Sequence, residues 1–220
     1  MPLPPAHEQL AFIQRHTAPA PVPLVPELVT YQAKELAPLW GATSAELSSS
    51  DPVPFWAFPW AGGQALARHL LDHPELVRGR HVFDFATGSG VVAIAAARSG
   101  AARVVACDHA AFCEAAVRLN SALNGVEISF RTCAIGDPLE GFDVVLAGDV
   151  FYERDLARDT LAWFARLAAR GALALVGDPG RLYSPRSGVV ERAVYDVPTS
   201  KELESASLLC TSVFEVPAAS

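Results

Sequence analysis

The chain has 220 residues, room for one domain and a small attachment, and its 51% hydrophobic content excludes global disorder. A net charge of −7 with no basic run excludes the clustered Lys and Arg of a nucleic-acid binder. No unbroken apolar stretch approaches the roughly 18 residues of a membrane span, so no contact with a membrane is expected.

The opening "MPLPPAHEQL" has neither the basic segment and apolar run of a signal peptide nor the Arg-rich character of a transit peptide, which points to the cytoplasm. "AHEQLAFIQRHT" sets Leu10, Phe12 and Ile13 at helical spacing and reads as a short helix. The prolines of "APAPVPLVPEL" forbid a regular helix. "PELVTYQAKELAPLW" reads as a second helix, with Leu28, Tyr31, Leu36 and Leu39 partly on one face, and "GATSAELSSSD" reads as a linker. Residues 1–50 are therefore expected to form a small N-terminal helical extension, and residues 51–220 the main domain.

From Asp51 an aromatic, Pro-rich loop, "DPVPFWAFPWAGG", leads into a helix near Gln64 to Leu71. A regular alternation follows. His81 to Ala86 is a strand, Gly90 to Ser99 a helix, "ARVVACD" a strand ending in Asp108, and Ala110 to Leu123 a helix closed by "NG". "EISFRTC" and "FDVVLAGD" are strands, Arg154 to Arg170 is a helix with Leu161, Phe164, Ala165 and Leu167 inward, and "GALALVGD" is another strand. This order implies a doubly wound, Rossmann-like α/β domain with a mainly parallel sheet. "SGVVERAVYDVP" and "SASLLCTSVFEV" break the alternation and predict a C-terminal antiparallel hairpin at one edge of the sheet.

Gly88-Ser89-Gly90-Val91-Val92-Ala93 matches G-x-G-x-x-A, which serves both dinucleotide and S-adenosylmethionine sites. Asp108, 18 residues beyond Gly90, stands where an acid takes ribose hydroxyls, or else caps the following helix. Asp84 decides between the cofactors. A carboxylate just before the turn is unfavourable beside a pyrophosphate and suits the cationic amino group and sulfonium of S-adenosylmethionine. "AGDVFYE" adds Asp149 and Tyr152 at a carboxyl edge, where open α/β sheets bind ligands, and the reversed terminal strand fits a class I methyltransferase. Ala86 stands where such turns often carry glycine, and alanine resists positive φ. Asp137 in "AIGDP" is read equally as a contact to the adenine edge or as a turn acid.

Cys107, Cys113, Cys133 and Cys210 form no C-x-x-C pair and no metal spacing, so reduced, mostly buried thiols and no metal are expected. His69 and His73 lie i, i+4 with Pro74 following and no third ligand, and read as a surface pair.

"DPVPFWAFPWAGGQALARHLLDHPELVRG", "FDFATGSGVVAIAAARSGA", "GDVFYERDLA" and "VGDPGR" occur in an order and spacing that resemble the electron-transfer-flavoprotein β-subunit lysine methyltransferases, within the seven-strand lysine methyltransferases. The resemblance runs from about Asp51 to the end. It implies S-adenosylmethionine, an open seven-strand sheet and a protein lysine as substrate, in the electron-transfer flavoprotein β subunit or a similar protein; a small-molecule, nicotinamide-type N-methyltransferase is the alternative. It further implies that Trp60 lies against the cofactor and that Asp149 with Tyr152 faces the target amine. Gly88, Gly90, Ala86, Asp84, Asp108 and Asp137 complete the expected cofactor set. Arg181 of "DPGR" either binds an acidic substrate face or fixes a loop. A monomer is expected.

Overall fold

The computed structural model describes residues 5–35, 38–39, 41–42, 54–204 and 206–218. Leu36, most of the expected linker and the expected boundary between residues 50 and 51 lie outside the described residues.

In chain order the elements are α1 (Ala6–His16), β1 (Ala18–Val22), β2 (Val25–Gln32), α2 (Ala61–Asp72), β3 (His81–Phe85), α3 (Val91–Arg98), β4 (Arg103–Cys107), α4 (Ala111–Asn124), β5 (Ser129–Arg131), β6 (Val144–Gly148), α5 (Arg154–Ala168), β7 (Leu173–Asp178), β8 (Val190–Pro198), α6 (Lys201–Glu204) and β9 (Leu208–Glu215). The main sheet runs β5-β4-β3-β6-β7-β9-β8. Strands β3 to β7 are parallel, and β9 is antiparallel to both β7 and β8. The terminal hairpin thus forms as expected, with its second strand inserted beside β7. The strand order reverses between β3 and β6, which puts the ligand-binding crevice at their carboxyl ends.

Alternation along β3 shows how the strands divide the core. Val82 faces α2 and α3, whereas Phe83 and Phe85 face α5. Helix α3, "VVAIAAAR", is buried almost all round because the sheet, α2 and α4 enclose it. On α5, Ala157, Thr160, Trp163, Phe164 and Leu167 are buried. Leu161 and Ala165, expected inward, flank that stripe, and Trp163 fills the core in their place.

The N-terminal extension corrects the expected second helix. Where that helix was expected to begin, residues 25–32 form β2, paired antiparallel with β1 through Ala20↔Thr30 and Pro19↔Tyr31; among the described residues of the extension, helix occurs in α1 and again at 38–39 and 41–42. Val25, Leu28 and Thr30 are fully buried, and β-branched residues favour this extended, half-buried segment over a helix. The outer edge of β2 does not join the main sheet. Side chains replace a neighbouring strand: Asn120 Oδ1 accepts from Tyr31 N–H (2.7 Å), and Asn124 Oδ1 accepts from Val29 N–H (3.0 Å) while its Nδ2 donates to Val29 C=O (2.6 Å). Gln64 Oε1 likewise accepts from Leu24 N–H (3.0 Å).

The cysteine expectation is also corrected. Cys107, at the end of β4, and Cys133, in the loop after β5, are joined as a disulfide, because the parallel β4–β5 pairing brings the two strand ends together. Neither Cys113, which is buried, nor Cys210, which is exposed, is part of a disulfide. His69 is 6% exposed rather than on the surface, its Nδ1 paired with Tyr195 Oη (3.1 Å) where α2 packs on β8. Among the described residues there is no cluster of metal-ligating side chains and no helix long and apolar enough to cross a membrane.

Candidate active site

The turn after β3 has the backbone that its residues impose. Gly90 adopts φ +82° and starts α3, a left-handed position that suits glycine. Ala86 adopts φ +53° despite its Cβ, the left-handed backbone that alanine resists. Asp84 lies 1% exposed beneath the turn. Its Oδ2 accepts from the Thr87 hydroxyl and from Ala93 N–H (3.2 Å), whereas Oδ1 is buried without a hydrogen-bond partner. Burial pushes this carboxyl up to about 7, against the pull of the Thr87 and Ala93 hydrogen bonds, and nearby Asp108 raises it further. A buried acid with an orphan oxygen fits a cationic group arriving from the crevice.

Asp108 joins the same turn. Its Oδ2 accepts from Gly88 N–H (3.0 Å) and its Oδ1 from Ala110 N–H (3.1 Å). It therefore ties the end of β4 to the glycine turn and is not the N-cap of α4, which is Ala110. Thr87 N–H donates to Cys107 C=O (3.0 Å), and Asn120 Nδ2 donates to Ser89 C=O (2.7 Å). Asp137 is held in its own turn: Oδ2 accepts from Ala134 N–H (3.0 Å), and its carbonyl accepts from Trp163 Nε1 (3.2 Å). The turn-acid reading of Asp137 accounts for both contacts.

On the other side of the crevice, α2 begins hard against the ends of β6 and β7. Gly62 and Gly177 approach so closely that a Cβ on either would collide with the other's carbonyl oxygen. This contact sets Gly63 N–H, an unpaired donor of the first helical turn, 3.0 Å from Asp149 Oδ2. Asp149 adopts φ +57°, a conformation Asp tolerates better than most residues, and its side chain is 11% exposed. Arg181 Nη2 and Nε donate to Oδ1 at 2.6 and 3.1 Å. Burial raises the carboxyl to about 6; Arg181 opposes the shift, and Glu204 and Asp178 add to it.

Arg181 thus fixes a loop by an internal salt bridge, with Asp149 and with Glu204 of α6 (2.7 Å). Its guanidinium also lies 5.8 Å from the Trp60 ring centroid. Trp60 donates Nε1 to Phe55 C=O (2.9 Å) and meets Phe55 edge-on at 5.5 Å. Phe55 in turn lies 5.9 Å from Tyr152, and these two rings are 38% and 47% exposed. Burial, with Glu153 and Asp108, raises the Tyr152 phenol. Trp56, by contrast, is buried and stacks on Phe112, so it belongs to the core.

Comparison with known proteins fixes the family. The chain is 35% identical over 199 residues to the electron transfer flavoprotein beta subunit lysine methyltransferase of Rattus norvegicus, covering 87% of this chain and 77% of that protein. The chain belongs to this family. It is an S-adenosylmethionine-dependent methyltransferase. The relative of the same name in Danio rerio is 37% identical, over 74% of this chain and 66% of that protein. The family model "Ribosomal protein L11 methyltransferase (PrmA)" matches residues 66–150, the stretch from α2 to the end of β6. Magnesium protoporphyrin IX methyltransferase from Synechocystis PCC 6803 with bound S-adenosylmethionine shares the fold at a TM-score of 0.51 and 16% identity, over 70% of this chain and 77% of that one.

Thr87, Asn120 and Glu204 are site residues that the sequence did not disclose. Thr87 had a signal, since a hydroxyl three residues after a buried acid can bond it locally. Asn120 and Glu204 had none, because their contacts cross 31 and 23 residues.

Proposed function

We propose that this enzyme is a protein-lysine N-methyltransferase acting on the electron-transfer flavoprotein β subunit or a similar protein. The observation that carries the reading is Asp149 held at the carboxyl edge of β6 by Arg181, whose guanidinium lies over Trp60 and so leads to the exposed rings of Phe55 and Tyr152. An acid beside an open aromatic rim suits an amine presented on another protein's surface.

When bound, S-adenosylmethionine supplies an electrophilic methyl group on a sulfonium. Gly88 and Gly90 allow close approach of backbone, and nothing but the Phe55 carbonyl, at 3.8 Å, faces a Cβ built on Gly88. We assign Asp84 to the cofactor's amino-acid end, Asp108 to its ribose hydroxyls and Trp60 to the wall of the site. Ala86 shapes the turn. Asp137 is retained for the adenine edge only as the weaker of its two readings. The attacking lysine must be a neutral amine, although a free lysine has a pKa of about 10.4. A carboxylate has roughly four acceptor positions, and Asp149 uses three of them on Gly63 and Arg181. The remaining one can orient the amine and take or relay its proton, while Tyr152 holds the side chain.

Within this reading residues 51–220 form the catalytic domain and residues 1–50 an attachment, of which α1 and β2 pack on α4 and β2 also touches α2. The enzyme works as a monomer in the cytoplasm. The test is a labelled-methyl assay on recombinant electron-transfer flavoprotein and on cell lysate. Label on protein lysine is expected; label found only in low-mass metabolites, as for a nicotinamide-type enzyme, overturns the protein substrate. Asp149→Ala is expected to lower transfer at least 100-fold, to about 1% or less, with cofactor affinity by calorimetry near normal.

A further inference from the structure

The connection between β8 and β9 reaches the site at the end of β6. Glu204, the last residue of α6, has a side chain only 3% exposed. Arg181 donates to it through Nη1 and Nη2, both at 2.7 Å, in the two-point geometry that fixes a guanidinium plane. The same Nη2, with Nε, donates to Asp149 Oδ1. The Trp60 ring lies to one side of that plane. At the base, Asp178 Oδ1 accepts from Gly180 N–H (2.8 Å) and Arg181 N–H (2.9 Å), which sets the point from which the Arg181 side chain departs.

We propose that Glu204 is a positioning residue for methyl transfer: by clamping the far side of the Arg181 fork it fixes the direction of the Asp149 carboxylate. The proposal rests on the lysine-methyltransferase reading for what Asp149 does. An arginine paired with Asp149 alone could rotate about its long side chain, and the carboxylate would turn with it. With Glu204 in place the fork has two anchors on one guanidinium, and Asp149 is held through Oδ1 by that fork and through Oδ2 by Gly63 N–H. The terminal hairpin then contributes to the substrate site as well as to the sheet.

The charged groups around Asp149 give the arrangement a signature. They are Arg181 from the loop after β7, Asp178 at the end of β7, Glu204 from α6, and the positive N-terminus of α2 at Gly63. A lysine methyltransferase needs its acid ionised and its amine neutral, so log kcat/KM should rise with a slope of two below the Asp149 pKa and of one above it. With S-adenosylmethionine saturating, so that Asp84 is already ionised, that lower break locates Asp149. Glu204→Gln removes a negative neighbour, so the break should move down by about one pH unit, while kcat falls on the order of tenfold from lost orientation. Arg181→Met removes the cation, so the break should move up by about one unit or more. Glu204→Asp keeps the charge and should hold the break at its wild-type position.

A merely structural Glu204 lowers the melting temperature of Glu204→Gln and leaves kcat above the break at its wild-type value. That result, or breaks that move in the same direction in the Gln and Met variants, overturns the proposal. A second readout needs no substrate. In a melting-temperature cycle of Glu204→Gln, Arg181→Met and the double variant, the double should lose clearly less than the sum of the singles; additive losses overturn the clamp. Wild-type enzyme that labels no lysine while the cycle is non-additive overturns the substrate reading and leaves the clamp standing.

Discussion

Ala86 holds a left-handed backbone at φ +53° where its turn favours glycine. For an L-residue this costs about 1–2 kcal/mol, and glycine would give back about 0.5–1 through its freer unfolded chain. Ala86→Gly should therefore leave the unfolding free energy within about 1 kcal/mol of wild type, whereas Ala86→Val, β-branched in the same conformation, should lower it by about 2 kcal/mol. Denaturant titration of the two variants decides. A valine variant as stable as wild type would show that the turn is not strained. Asp84 makes a prediction with a sign. Its carboxyl is raised from 3.8 to about 7 in the folded protein, so the folded state binds the proton more tightly than the unfolded chain. Its contribution to stability is therefore full below pH 3.8 and is lost as pH rises to about 7. The melting temperature of Asp84→Asn relative to wild type should climb across that window and level off above it. A cation at Oδ1 favours the ionised acid, so cofactor binding near pH 6.5 should release a proton. Calorimetry in buffers of different ionisation heat reads that proton, and its persistence in Asp84→Asn would remove Asp84 from the role.

At the level of elements, the hairpin of β1 and β2 is coupled to the cofactor turn through one side chain. Asn120 holds Tyr31 N–H on one side and Ser89 C=O, between the two turn glycines, on the other. Asn124 holds Val29 alone of the hairpin residues and reaches no residue of the turn. Both substitutions to Ala should destabilise by about 2–4 kcal/mol, since each leaves buried backbone groups unpaired. Only Asn120→Ala should also weaken S-adenosylmethionine binding measured by calorimetry. Equal loss of affinity in both variants would mean that the hairpin acts through general stability alone. None of this was legible from residues 18–32. The prolines excluded a regular helix over "APAPVPLVPEL" without naming a strand partner, and the scattered apolar residues of "PELVTYQ" satisfy a helical and an extended reading about equally. The choice was made by Asn120 and Asn124 on α4, some 90 residues away, which supply the hydrogen bonds that an edge strand lacks. The parallel core was legible because each strand is a short apolar run ending in an acid or a glycine turn, signals that need no distant partner. Asp149 was placed by its position at a strand end, and Arg181 was marked by "DPGR" with loop fixation as one of two readings; Glu204, on α6 of the terminal hairpin, carried no local mark.

For the whole molecule, the parallel sheet fixes which distant residues can meet, and the Cys107–Cys133 bridge is a product of that topology. Counting cysteines could not find it, because the spacing resembles no motif and only the β4–β5 register sets the pair side by side. Its location gives it two consequences. It closes a loop across 26 residues that includes all of α4, and a loop of that size constrains the unfolded chain by about 3 kcal/mol. It also anchors the end of β4, where Cys107 C=O accepts from Thr87 N–H and the next residue, Asp108, accepts from Gly88 N–H. Thiol titration of the unfolded but unreduced protein should count Cys113 and Cys210 alone, and all four cysteines after reduction. Cys133→Ser should lower the unfolding free energy by about 2–4 kcal/mol and weaken cofactor affinity, with wild type matching it only after reduction. The variant keeps the Asp108 side chain and the glycine turn intact, so a loss of affinity traces to the mobility of the β4 end. If affinity is unchanged while stability falls, the bridge supports the fold without reaching the site; if the unfolded but unreduced protein titrates four thiols, the bridge is not formed in solution.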